Sequence, residues 1–102
     1  MVTLVPEAPE RWATHPFATP FLWLSTLAVR RDRRGAGRRT VVAAEDYAFG
    51  AGHQAMYLDC VDRDGALPAF YSGLGWRQLE RREVWPGWPM CLFERLPDPP
   101  AE

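Results

Sequence analysis

An apolar run from Phe21 to Val29 passes directly into an arginine- and glycine-rich stretch, "RRDRRGAGRR". A continuous apolar and β-branched run that ends at charge is typical of a strand covered on both faces. Apolar residues then recur at helical spacing from Arg38 to Phe49, with Gly50 and Gly52 as a helix stop. A second strand is predicted from Gln54 to Val61. These elements form a βαβ unit, whose strands are expected to be parallel and whose crossover is expected to be right-handed.

The remainder of the chain predicts shorter elements around this unit. A helix is expected from Ala66 to Gly75, and two antiparallel strands, Trp76 to Val84 and Met90 to Leu96, are joined by the turn "WPGWP". The proline density of residues 1 to 20 predicts an extended leader that contributes little core. The predicted organisation is this leader, one α/β domain over residues 21 to 96, and a flexible tail over residues 97 to 102.

Charge and cysteine content limit the function classes. The 102 residues carry a net charge of −1, and every basic residue is an arginine. The clustered arginines between residues 30 and 39 leave three interpretations open: a phosphate-binding loop, a solvated charged face, or a nucleic-acid arm. Cys60 and Cys91 lie in apolar runs without metal-ligand spacing, which predicts buried, reduced thiols. The absence of a signal-peptide pattern or a membrane-length apolar run predicts a cytoplasmic protein.

The glycine turn of the βαβ unit favours phosphate binding over the other two interpretations. A turn that leaves a strand and opens a helix presents unpaired backbone N–H groups and the positive end of the helix dipole. Ligands of open α/β sheets also collect at the carboxyl ends of parallel strands. A P-loop is excluded because the chain has no lysine, and aromatic platforms for nucleic acid are not interleaved with the arginines.

Two stretches, "LAVRRDRRGAGRRTVVAAEDYA" and "YLDCVDRDGALPAFYSGLGW", resemble the latter half of the GNAT acyl-CoA N-acyltransferases. The resemblance implies a partial GNAT-like α/β fold, with a mixed four-stranded sheet, a central βαβ unit and a C-terminal antiparallel hairpin. It also implies acetyl-CoA as cosubstrate and transfer of the acetyl group to an amine. Because the family's earlier strands have no evident counterpart, an alternative is a degenerate, inactive fragment that acts as a binding or regulatory module.

The same resemblance implies a set of site residues. Tyr71 matches the family tyrosine that protonates the departing thiolate, and Asp64 stands where the family often has asparagine beside the pantetheine. Backbone groups of Leu27, Ala28 and Val29 would contact the acyl and pantetheine groups. The pyrophosphate would bind at the loop and helix start, formed by Arg34, Gly35, Ala36, Gly37, Arg38, Arg39 and Thr40. No metal ligand is implied.

Further expectations concern partners and acid–base groups. The strand from Phe21 to Val29 has no charge to guard an open edge, which predicts a homodimer or a partner chain. His53 is expected to be a solvated turn residue rather than a base, while Glu45 and Asp46 are expected on the solvated face of the helix. The sequence assigns neither a general base nor the acceptor amine.

Overall fold

The computed structural model describes residues 2–27 and 35–98, which form a mixed five-stranded sheet with two α-helices. The strand order is β1-β2-β3-β5-β4, in which β2 and β3 are parallel and every other neighbouring pair is antiparallel. No helix within these ranges is both long enough and apolar enough to span a bilayer. The elements are β1 (Val2–Val5), β2 (Phe21–Leu27), α1 (Ala36–Gly50), β3 (Ala55–Val61), α2 (Ala66–Gly73), β4 (Arg77–Trp85) and β5 (Trp88–Arg95).

The predicted βαβ unit and C-terminal hairpin are confirmed. β2, α1 and β3 follow one another as strand, helix and parallel strand, and β4 and β5 form the antiparallel hairpin beside β3. Gly87, with φ of 75°, provides the left-handed conformation that the tight turn of this hairpin needs. The hairpin places β5 inside the sheet and β4 at its outer edge.

The leader was expected to leave the edge of the Phe21 to Val29 strand open, and this prediction is wrong. β1 pairs antiparallel with β2, with a register that runs from Val2 opposite Leu27 to Val5 opposite Trp23. The prolines begin only at Pro6, so the "VTLV" segment before them keeps every N–H group that pairing requires. The described part of β2 is therefore an inner strand, and the open edge predicted for it is closed by β1.

Both helices pack on one face of the sheet, which we call the helix face. Its buried cluster joins residues of α1 and α2 to alternate residues of the strands. Side chains alternate between faces along a strand, so Met56, Leu58 and Cys60 of β3 all reach this side. The buried members of the cluster are Leu22, Leu24, Val41, Ala44, Ala48, Met56, Leu58, Cys60, Tyr71, Trp76, Cys91 and Phe93.

The opposite face, which we call the leader face, is covered by residues of the leader. Trp12 is the last residue of a short 3-10 helix, Glu10–Trp12, and is 0% exposed. The Phe17 ring lies 4.7 Å from the Tyr57 ring and 5.3 Å from the Phe21 ring. The expectation that the leader contributes little core is therefore wrong, because burial of large aromatic side chains does not require a regular helix or strand.

Candidate functional site

A wedge opens between β2 and β3 toward their carboxyl ends. The two strands pair only from Phe21 opposite Ala55 to Trp23 opposite Tyr57. Beyond that point the second half of β2 pairs with β1, and the second half of β3, Leu58 to Val61, pairs with β5. Among the described residues, the facing edges of these two half-strands have no strand partner. Such edges offer backbone donors and acceptors to an extended ligand.

The start of α1 supplies further backbone donors at the same end of the sheet. Gly35 precedes the helix with φ of 77°, a left-handed conformation that glycine adopts without penalty. The first N–H groups of any α-helix have no partner within the helix. Arg39 N donates to Gly35 O at 3.1 Å, and Thr40 Oγ1 donates to Ala36 O at 2.9 Å. The amides at this helix start that have no acceptor among residues 2–27 and 35–98 are therefore those that precede Arg39.

The predicted cofactor residues fall partly outside the described ranges. Ala28, Val29 and Arg34 lie in the segment 28–34, which the structure does not describe. Leu27 is the last residue of β2 and pairs with Val2 of β1. The remaining predicted loop residues lie together at the start of α1, where Gly35 is the N-cap and Ala36, Gly37, Arg38, Arg39 and Thr40 are the first five helical residues.

Tyr71 lies on α2 with its ring buried in the helix face. Its aromatic neighbours are Phe70 at 5.1 Å, Phe93 at 6.0 Å and Trp76 at 6.2 Å between ring centroids. Burial, with a smaller contribution from the nearby Cys60, raises the pKa of Tyr71 to about 12. No described residue forms a hydrogen bond with its hydroxyl. This phenol stays protonated at neutral pH and can donate a proton.

Asp64 lies in the turn between β3 and α2, where it caps the helix. Its Oδ1 accepts a hydrogen bond from Ala66 N at 2.9 Å, while Asp62 Oδ1 accepts one from Gly65 N at 3.2 Å. The Asp64 bond satisfies the N–H group of Ala66, the first residue of α2, and the preceding Gly65 has φ of 79°. The contact that the structure gives Asp64 is therefore a local one within the turn.

Asp59 is a carboxylate beside the wedge that the sequence interpretation did not single out. It lies on the half of β3 that does not pair with β2, and its Oδ2 accepts hydrogen bonds from Arg11 Nε at 2.6 Å and Trp12 Nε1 at 2.7 Å. An acid within the otherwise apolar strand "AMYLDCV" was the available signal. Its partners lie more than forty residues earlier in the leader, which a sequence pattern cannot indicate.

The other titratable candidates lie elsewhere. Glu45 is 7% exposed and its Oε1 accepts a hydrogen bond from Arg95 Nε at 2.7 Å, so its expected place on the solvated face is wrong. Its spacing from Val41 and Ala48 puts it on the buried stripe of α1. Asp46 is exposed, as expected. His53 lies at the turn after α1, with Nδ1 3.1 Å from Ala48 O, at the end of the sheet away from the wedge.

Within residues 2–27 and 35–98, no group of three or more His, Cys, Asp and Glu residues is placed to hold a metal ion. The two cysteines are free and buried, as predicted. Near the second half of β3 the described residues thus offer a buried phenol, Tyr71, and a paired carboxylate, Asp59, while the start of α1 offers backbone amides. These groups can bind an anionic ligand and move a proton.

Comparisons with known proteins give a match in structure but none in sequence. No protein-family model and no curated protein matches the chain. An acetyltransferase of the GNAT family from Listeria monocytogenes superposes with a TM-score of 0.72 at 14% identity, over 93% of this chain and 55% of that one. NAA60 of Arabidopsis thaliana, solved in complex with acetyl-CoA, superposes with a TM-score of 0.66 at 17% identity. The match covers 93% of this chain and 61% of the NAA60 chain.

The chain matches only part of the length of each of these structures. It covers 54% of a matched structure from Bacillus anthracis and 74% of one from Agrobacterium tumefaciens, so it spans between half and three quarters of their lengths. The mixed sheet with its βαβ unit and two helices is the part in common. The predicted partial GNAT-like fold is confirmed.

Proposed function

We propose that this chain, which has the fold of the GNAT acetyltransferases, binds acetyl-CoA in the wedge between β2 and β3 and transfers the acetyl group to an amine. The observation that carries this proposal is the early end of pairing between the two parallel strands, at Trp23 opposite Tyr57. An extended pantetheine chain can occupy such a gap and bond to the strand edges. Structures of similar fold that contain acetyl-CoA or CoA support the choice of ligand.

The pyrophosphate of the coenzyme would bind at the start of α1. The free amides of the first turn and the positive helix end attract phosphate oxygens, and the exposed Arg38 adds a charged donor. Arg34, Arg39 and Thr40 complete the proposed loop. On the far side of the wedge, Asp64 would lie beside the pantetheine while it continues to cap α2.

The acetyl transfer requires attack by a neutral amine on the thioester carbonyl. Backbone groups at the end of β2, from Leu27 through Ala28 to Val29, would polarise that carbonyl. Tyr71 would then protonate the departing thiolate. A phenol whose pKa is about 12 remains protonated at neutral pH, and it lies within the same buried cluster as Cys60 on the wedge-lining half of β3. The acceptor amine and the base that deprotonates it are not assigned.

A binding or regulatory module without catalysis is the second candidate. The chain spans 54% to 61% of the length of several matched structures, and acceptor recognition by this chain is not assigned to any of its residues. Both candidates share the coenzyme site, so they differ only in turnover. For both we propose a cytoplasmic location, because the two thiols are free and buried.

Calorimetric titration with acetyl-CoA tests the shared site. We expect a micromolar dissociation constant, on the order of 8 kcal/mol of binding free energy. Gly37→Asp places a negative charge at the phosphate-binding helix start and should weaken binding at least tenfold. Gly50→Asp makes the same change at the other end of α1, where an added Cβ meets no atom within 4 Å, and should leave the affinity unchanged. Equal affinities for the two variants would place the ligand elsewhere.

Turnover separates the two candidates. In an assay that follows CoA thiol release with a panel of primary amines, we expect Tyr71→Phe to lower kcat by about 10²- to 10⁴-fold. Its affinity for acetyl-CoA should change less than twofold. Tyr47→Phe, on the exposed side of α1, is the matched control. A chain that binds acetyl-CoA but releases no thiol with any amine would establish the binding module instead.

For a partner, we propose a second copy of this chain, which pairs through the outer edge of β1. β1 closes the edge of β2 but is itself an uncharged edge strand, so the surface available for a homodimer moves from β2 to β1. Two copies could pair there around a two-fold axis. Nucleic acid is not proposed as a partner.

A further inference from the structure

Cys60 and Cys91 lie directly opposite each other across the antiparallel strands β3 and β5. Both belong to the buried cluster of the helix face, so their side chains leave the sheet on the same side. Directly opposite residues of antiparallel strands have Cα atoms about 4.5 to 5.5 Å apart. Disulfides span Cα separations of about 4.4 to 6.8 Å. The two backbones are therefore spaced for a disulfide, although both thiols are free in this structure.

The two cysteines are both buried and differ slightly in residue exposure. Cys91 is 0% exposed and Cys60 is 7% exposed. Cys60 also lies on the half of β3 that β2 leaves unpaired, whereas Cys91 lies on β5 between two paired strands. A small reagent that enters the wedge should therefore reach Cys60 first, and Cys91 is placed to react with the product.

We propose that Cys60 and Cys91 form a site of oxidative modification, at which a small peroxide converts the facing thiols to an intramolecular disulfide. The thiolate form of Cys60 attacks the peroxide O–O bond, which gives a sulfenic acid and releases hydroxide. Because burial raises the pKa of this thiol to about 12, the rate of this step should rise steeply with pH. The Cys91 sulfur then attacks the sulfenic sulfur, and the S–O bond breaks. Overall, two thiols and one hydrogen peroxide yield one disulfide and two waters. The peroxide accepts the two electrons that the thiols lose.

The modification is coupled to the coenzyme site. This step rests on the proposed function, because acetyl-CoA in the wedge would cover the side from which Cys60 is reached. The disulfide would also lock β3 to β5 next to Tyr71 and close the loop between the two strands. Closure of a loop of this size should raise the Tm by on the order of 10 °C.

The first experiment treats the whole chain with hydrogen peroxide and maps its peptides without reduction. We expect a linked peptide pair containing both cysteines, a mass lower by two hydrogen atoms, and no free thiol after unfolding. In Cys91→Ala, Cys60 should instead accumulate as a sulfenic acid that dimedone traps. In Cys60→Ala, Cys91 should remain a thiol. Two unreacted thiols, under conditions that oxidise the unfolded chain, would overturn the proposal, as would disulfides formed only between chains.

The second experiment repeats the oxidation with saturating acetyl-CoA. We expect disulfide formation to slow at least fivefold, with no change when the coenzyme is replaced by adenosine. If calorimetry shows binding but the rate is unchanged, access to Cys60 through the wedge is wrong. If the disulfide forms and no coenzyme binds, the proposed function fails while the modification site stands.

Discussion

The two faces of the sheet are covered by different kinds of structure. On the helix face, α1 and α2 pack their apolar stripes onto the strands. On the leader face, the part of the leader after β1, whose one regular element is the 3-10 helix Glu10–Trp12, covers the strands with Trp12 and Phe17. The comparison shows that an irregular segment can cover a sheet when large side chains supply the burial.

The irregular leader lacks the backbone hydrogen bonds that a long helix would provide. Hydrogen bonds to side chains of β3 hold it on the sheet instead. Tyr57 Oη accepts a hydrogen bond from Ala18 N at 3.0 Å and donates one to Glu94 Oε2 at 2.9 Å. Asp59 accepts bonds from Arg11 and Trp12. β3 thus anchors the leader at two alternate positions, while its intervening residues face the helices. The leader face depends on few residues, so single changes there should have large effects.

Trp12→Ala should have the largest effect on stability. Loss of a fully buried indole, together with its hydrogen bond to Asp59, is expected to reduce the free energy of unfolding by about 3 to 5 kcal/mol. Urea denaturation with fluorescence detection measures this change. Trp85→Ala is the matched control, because Trp85 is 53% exposed, and should cost less than about 1 kcal/mol. Similar losses for the two variants would mean that Trp12 is not a core residue.

The same contrast explains how far the sequence predicts this fold. The helix face follows from periodicity, because α1 and the strands of the βαβ unit each repeat their apolar residues at their own spacing. The leader face does not, because Trp12 and Phe17 have no period and their partners lie on strands distant in sequence. Tyr71 was predicted as a site residue through a resemblance to a family, while Asp59 was not singled out because its contacts with Arg11 and Trp12 join segments distant in sequence. Glu45 was misplaced because charge was given more weight than its position on the apolar stripe.

Alkaline pH should destabilise the helix face in particular. Burial raises the pKa of Cys60 from 9.0 to about 12 and that of Tyr71 from 10.0 to about 12. Both groups lose their protons more readily in the unfolded chain, so stability is intact below about pH 9 and falls as the pH rises toward 12. The expected loss is on the order of 3 kcal/mol. Urea midpoints measured from pH 8 to pH 11 test this expectation.

Two variants identify the groups responsible for the pH dependence. Cys60→Ala combined with Tyr71→Phe should flatten the dependence, whatever its effect on stability at pH 8. Tyr47→Phe changes an exposed tyrosine and should keep the slope of the unmodified chain. An unchanged slope in the double variant would assign the alkaline transition to other groups, such as Tyr57, whose pKa is also raised by burial.

Asp59→Asn tests the polar anchor of the leader with a smaller expected effect. The change removes the charge that pairs with Arg11 but keeps an oxygen that can accept from Trp12. We expect a loss of about 1 to 3 kcal/mol, because hydrogen bonds to a charged group are stronger than neutral ones. Asp46→Asn, at an exposed position of α1, should change stability by less than about 0.5 kcal/mol. If Asp59→Asn is equally silent, the leader is held by its aromatic residues alone.

The two outer strands of the sheet, β1 and β4, differ in the charge that they carry. β4 carries charged side chains along most of its length, including Arg77, Glu80 and Arg81, and such residues discourage edge pairing. β1 has no charged residue from Val2 to Val5. If the chain self-associates through an edge, β1 is therefore the edge on which pairing meets no charge.

Thr3→Lys places a charge on this edge and should have the smallest effect on the fold. Thr3 is exposed, so the free energy of unfolding should change by less than about 0.5 kcal/mol. A dimer formed through β1 would have to bring the two introduced lysines close together or leave them poorly solvated, and its dissociation constant should rise at least tenfold.

Leu24→Arg cannot serve this purpose, because Leu24 is buried in the helix face and the change would unfold the chain. Sedimentation equilibrium of the unmodified chain and Thr3→Lys at matched concentrations measures the difference. A monomer for both proteins at high micromolar concentration would remove the homodimer and leave β1 as an edge that its short length alone protects.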